Sequence, residues 1–126
     1  MDAALVTDAL LARCRAEEDT LAEVRAVLRN ALMRSGLPDI RVPEQLQSCR
    51  LIKDPYDGTS TLVGEWRKAR NRQIGSVVIH ANGQLIAELD VLQPLPGQAD
   101  CMVDAVVAFG TPGKLRAELR LLPSLD

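Results

Sequence analysis

"RQIGSVVIHANGQLIAELDVL", residues 72–92, sets Asn82–Gly83 between two apolar arms. Asn-Gly in that setting is the strongest short-range hairpin signal, because both residues tolerate the positive φ that a tight turn demands. A two-residue loop pairs Ala81 with Gln84 and His80 with Leu85. That register gathers Ile74, Val78, Leu85, Ala87, Leu89 and Val91 on one face, which reads as core, and puts His80 at its end beside Leu85. The opposite face then carries Val77, Ile79 and Ile86 beside Gln84, Glu88 and Asp90. Such a half-apolar face, if uncovered, marks an interface or a ligand groove. Burial by residues 37–50 or by the C-terminal segment is the competing expectation.

Strands extend outward from this hairpin. Residues 59–68 alternate Thr61, Val63, Glu65 and Arg67 with Leu62, Gly64 and Trp66. Upstream, "CRLIK" (49–53) reads as a short first strand, and "DPYDG" (54–58) is turn chemistry rather than a calcium loop, which needs six to eight oxygen ligands. Downstream, "PLPGQ" (94–98) predicts a break in the meander, and "CMVDAVVAFG" (101–110) predicts a strand. Leu115, Ala117, Leu119 and Leu121 alternate with Arg116, Glu118 and Arg120. All are good helix formers after Thr111–Pro112, but the strand before them needs a partner, so a strand is expected.

Residues 4–35 predict helix, with Leu10, Cys14, Leu21, Val24, Leu28 and Ala31 at three- and four-residue steps. Thr20 and Glu23 have capping-box spacing, so a break near Asp19–Thr20 competes with one long helix, which is the preferred reading. Gly36, Leu37 and Pro38 mark its end. The expected fold is α+β: a long N-terminal helix or helix pair on a mainly antiparallel sheet of four to six strands. Residues 1–126 read as a single domain, helical over 1–36, a connector over 37–50 and sheet over 51–126.

Composition narrows the function classes. The net charge is −2, and aromatic residues make up only 2%. There is no general positive field to attract nucleic acid. Arg67, Lys68, Arg70 and Arg72 crowd beside Trp66 and are the candidate anion-binding group, yet by alternation Trp66 lies on the apolar side, away from any base. A solvated hairpin tip is the expected reading for these cations. Cys14, Cys49 and Cys101 show no metal spacing, and His80 is the only histidine, so no metal or cofactor is expected. The start carries Asp2 and Asp8 and no basic region, unlike a signal peptide, and no apolar run has membrane-spanning length. A cytoplasmic location is expected.

No reaction motif is present. His80 and Asp104 are the candidates for a small enzyme site, Asp104 because a carboxylate in a valine-rich strand is either outward-facing or paired. The leading expectation is a non-enzymatic protein-interaction or small-ligand-binding domain, homodimeric through Val77, Ile79 and Ile86. A nucleic-acid or phosphate binder through 67–72 is the alternative, and an enzyme at His80 or Asp104 the second.

Overall fold

The computed structural model describes residues 17–122. Expectations for residues 1–16, Cys14 and the first part of the predicted helix among them, lie outside the described residues. Helix α1 spans Glu18–Arg34 and buries Val24, Leu28, Ala31 and Leu32, the stripe that its spacing foretold. Glu18 and Asp19 in the first turn and Arg34 in the last complement the helix dipole.

The helix does not run unbroken through this point: it begins at Glu18, beside the expected Asp19–Thr20 break, though not by a Thr20 cap. Glu17, at φ −94° and ψ 5°, is its N-cap residue. Thr20 is buried inside the helix, and the Glu23 carboxylate accepts the Gly113 N–H at 2.9 and 3.0 Å instead of closing a capping box. The stop follows expectation in full. Gly36 adopts φ +78°, Leu37 N–H donates to Leu32 O at 2.8 Å, and Gly36 N–H donates to Met33 O at 3.2 Å. These are the two bonds of a Schellman motif, which glycine allows because it carries no Cβ.

Six strands follow: β1 (Ser48–Lys53), β2 (Ser60–Lys68), β3 (Arg72–Ile79), β4 (Leu85–Leu95), β5 (Gln98–Gly110) and β6 (Arg116–Leu121). Each pairs antiparallel with its sequence neighbour, giving a meander in the order β1-β2-β3-β4-β5-β6. The C-terminal stretch is thus a strand, paired with β5. "PLPGQ" does not interrupt the meander: β4 runs to Leu95, and β5 restarts at Gln98 after a tight turn in which Gly97 takes φ +83°. Bulges at Asp90/Gln93 and Pro94/Leu95 let the proline sit in the ladder despite its missing N–H.

The hairpin register also differs from expectation. His80 N–H donates to Gln84 O at 2.9 Å and Gly83 N–H to His80 O at 3.0 Å, so the loop holds three residues, with Gly83 at φ +90°. This is the other common Asn-Gly hairpin, a turn followed by a left-handed residue. It pairs Ile79 with Leu85, Val78 with Ile86 and Val77 with Ala87. One residue of slip exchanges the faces of a strand.

One face of the sheet is covered. Leu62, Trp66, Val77, Ile79, Leu85, Ala87, Leu89, Val106 and Ala108 form a buried core with the α1 stripe. The helix packs over β5 and β6. Toward the other edge the connector takes over, with Leu37, Ile40, Val42 and Leu46 packed against the core. Leu46 lies so close that a Cβ on Gly64 would stand 2.4 Å from its Cδ1. Trp66 likewise lies over Gly75, where a Cβ would meet the indole at 2.8 Å and the Glu88 carbonyl oxygen at 2.4 Å. Two strand positions without side chains thus make room in the core, Gly64 for Leu46 of the connector and Gly75 for the Trp66 ring.

Candidate interaction face

The opposite face follows from the register. Cross-strand partners share a face, so Arg50, Val63, Val78, Ile86, Phe109 and Arg116 form one row from edge to edge. Val63, Val78 and Phe109 are half-buried, and Ile86 is 43% exposed. The next row carries Ser48, Glu65, Ser76, Glu88, Val107 and Glu118. On the other flank lie exposed Ile52, paired with Thr61, and then His80. Neither α1 nor the connector reaches this side, since both belong to the core layer.

Of the residues expected in an apolar patch, Ile86 stands here and Val77 and Ile79 do not. Each of those two is only 1% exposed and belongs to the core. The three-residue loop is the cause, and it brings Val78 to the open face in their place. Val63, Val78, Ile86 and Phe109 form an apolar stripe, closed at both ends by an arginine.

A polar cluster occupies the β4–β6 part of this face. Arg120 crosses β5, donating Nη1 and Nη2 to the two oxygens of Glu88 at 2.9 and 3.2 Å and Nε to Asp104 at 2.8 Å. A bidentate pair to one carboxylate fits the planar guanidinium. Both carboxylates raise the arginine's pKa further. Asp104, expected to be outward-facing or paired, is both. Its register shift between Val103 and Ala105 turns it to meet Arg120.

Asp90 lies beside this cluster. Burial, then the charges of Asp104 and Glu88, push its carboxyl above the ordinary range, while Arg120 and Arg72 partly oppose them. A carboxyl raised in the folded state gives no penalty below its unfolded value of 3.8, where both states are protonated. The penalty grows as pH climbs past that value toward the folded pKa, and persists above it. Asp90→Asn is therefore expected to raise the urea midpoint at pH 7 by a modest amount and to leave it unchanged at pH 3. An equal gain at both pH values would contradict this assignment.

His80 does not lie on the core face. It is exposed at the hairpin end, with Nδ1 3.5 Å from Thr61 Oγ1. His80 lies just past β3, whereas Asp104 lies on β5 and pairs with Arg120, so the structure does not bring the two together as an acid–base pair. The basic stretch is divided: Arg67 lies on the open face, ion-paired with Glu65, its N–H donating to Gln47 Oε1 at 2.7 Å. Lys68, Arg70 and Arg72 are exposed around the hairpin tip, where Arg70 takes φ 64°. Trp66 is 1% exposed and offers no ring to a base.

Asp54 and Asp57 cap their own turn, accepting from the backbone N–H of Tyr56 at 2.7 Å and of Thr59 at 2.9 Å. Among the described residues, no three His, Cys, Asp or Glu side chains are grouped to hold a metal ion. Neither Cys49 nor Cys101 is in a disulfide. No helix among the described residues is long and apolar enough to cross a membrane. No family model matches the chain, and no curated protein or solved structure matches it.

Proposed function

We propose that the protein is a non-enzymatic interaction domain that works as a cytoplasmic homodimer, with the open sheet face as its contact surface. The observation that carries this reading is the stripe Val63–Val78–Ile86–Phe109, apolar across four adjacent strands on the side that α1 and the connector leave uncovered. Exposed contiguous apolar surface favours association over solvation.

Two arguments select a second copy as the occupant. The charges around the stripe are of both signs, Arg50, Arg116 and Arg120 against Glu65, Glu88 and Glu118, so the surface suits a copy of itself better than a strongly acidic or basic partner. Size agrees as well. Six strands at ~4.8 Å spacing, averaging about nine residues or ~30 Å, give roughly 800 Å² per partner, the usual area for one side of a stable interface.

Sedimentation velocity across a micromolar concentration range tests the proposal. Wild type is expected to sediment as a dimer and Ile86→Asp as a monomer with an unchanged circular dichroism spectrum. A wild type that stays monomeric throughout, or a dimer that survives Ile86→Asp, would overturn the face as the contact.

A further inference from the structure

After the Schellman turn the chain doubles back along α1, and Arg25 Nη1 donates to Glu44 O at 2.9 Å where the two segments run together. Between them lies a half-open groove of about 500 Å³. Its floor is apolar: Leu32 is 1% exposed, and Ile40 and Val42 are half-buried. Met33, 61% exposed, extends the apolar wall toward solvent.

The rim is cationic. Arg25 and Arg29 come from the helix and Arg41 from the connector, with Glu44 the one carboxylate among the lining residues. Arg25 and Arg29 are four residues apart, a like-charged spacing that weakens a helix. Neither has an acid to offset it, since the positions three and four away hold only Leu21, Ala22, Ala26, Leu28, Leu32 and Met33. Among the described residues, Arg29 and Arg41 also make no ion pair. Guanidinium groups gathered at the mouth of an apolar groove are what a ligand with a charged head and an apolar body requires.

We propose that this groove binds a free anionic amphiphile, its carboxylate or phosphate head held by Arg25, Arg29 and Arg41 and its apolar chain laid on Leu32, Ile40 and Val42. The site lies in the helix layer, on the far side of the sheet from the open face, so it stands or falls independently of the dimer.

The test is a nuclear magnetic resonance titration of the full chain with decanoate, kept below its self-association concentration. Decanol serves as the neutral control and acetate as the head-only control. Decanoate is expected to bind saturably, shifting the amides of Ile40 and Val42 and the Arg29 side-chain Nε–H. Both Arg29→Gln and Arg41→Gln, exposed positions outside the core, are expected to weaken it at least about tenfold, as loss of a charge-assisted pair does. Arg50→Gln, on the open sheet face, is expected to leave it unchanged.

Equal binding of decanol would remove the arginines from the account. Saturable binding of acetate at the same affinity would remove the apolar floor. Absence of decanoate binding overturns the proposal, and so does equal weakening by Arg50→Gln. Co-flotation with phosphatidylglycerol vesicles without saturable decanoate binding would assign the arginines to a lipid surface and likewise overturn it.

Discussion

Ile79→Asp is expected to abolish the cooperative urea transition, whereas Val78→Asp, one residue away, is expected to cost only about 1 kcal/mol. Ile79 is 1% exposed and packed in the core between β2 and β4, opposite Leu62 and Leu85. Its replacement forfeits about 1.5–3 kcal/mol of apolar burial and leaves a carboxylate among aliphatic side chains. Together these effects rival the ~5–15 kcal/mol that holds a domain of ordinary stability. Val78 sits on the open face, where a carboxylate reaches water in the separated protomer, so both variants are compared at concentrations below the dimer dissociation constant. The two-residue loop would reverse the pair, making Val78 the damaging site and Ile79 the tolerant one. Urea denaturation of both variants therefore reads the hairpin register.

Trp66→Ala is expected to cost about 3–5 kcal/mol, lowering the urea midpoint while the protein still folds at low temperature. Trp66 is the largest fully buried side chain, and its ring lies over Gly75. A side chain at Gly75 cannot fill the space: a Cβ there would meet the Glu88 carbonyl oxygen, which belongs to the sheet ladder and cannot yield. Trp66→Phe keeps much of the ring and is expected to cost clearly less. Equal costs for the two variants would contradict this, showing that the indole's particular fit over Gly75, rather than the apolar area it buries, sets the energy of this site.

Local chemistry was legible in the sequence wherever one residue type has one use. Gly36, Leu37 and Pro38 gave the end of α1 because a left-handed glycine, an apolar residue and a helix-breaking proline permit little else. Alternation in 115–121 gave β6, overriding the helix propensity of its residues, because a strand before it needed a partner. The existence of the β3–β4 hairpin was equally clear.

Its register was not. Asn82–Gly83 serves both the two-residue and the three-residue loop. The arms could not arbitrate, because Val77–Val78–Ile79 and Leu85–Ile86–Ala87 are apolar on both faces. One residue of ambiguity was enough to exchange Val77 and Ile79 for Val78 and to move His80 off the core face. The arginine groove was hidden for a different reason. Its members are separated in sequence and meet only because the chain doubles back after Pro38, whereas the conspicuous cluster at 67–72 is split by strand alternation. The unpaired four-residue spacing of Arg25 and Arg29 was the available signal.

The two surfaces divide the molecule. The core layer of α1 and connector carries the groove, and the sheet face that they leave uncovered carries the apolar stripe, so ligand and second copy need not compete.

The contact surface can be mapped directly by recording amide spectra of the wild type over a dilution series from millimolar to low micromolar. The account predicts concentration-dependent shifts concentrated at Val63, Val78, Ile86 and Phe109, with the α1 amides unmoved. Shifts confined to the β6 edge or the hairpin tip, or none at all, would contradict it.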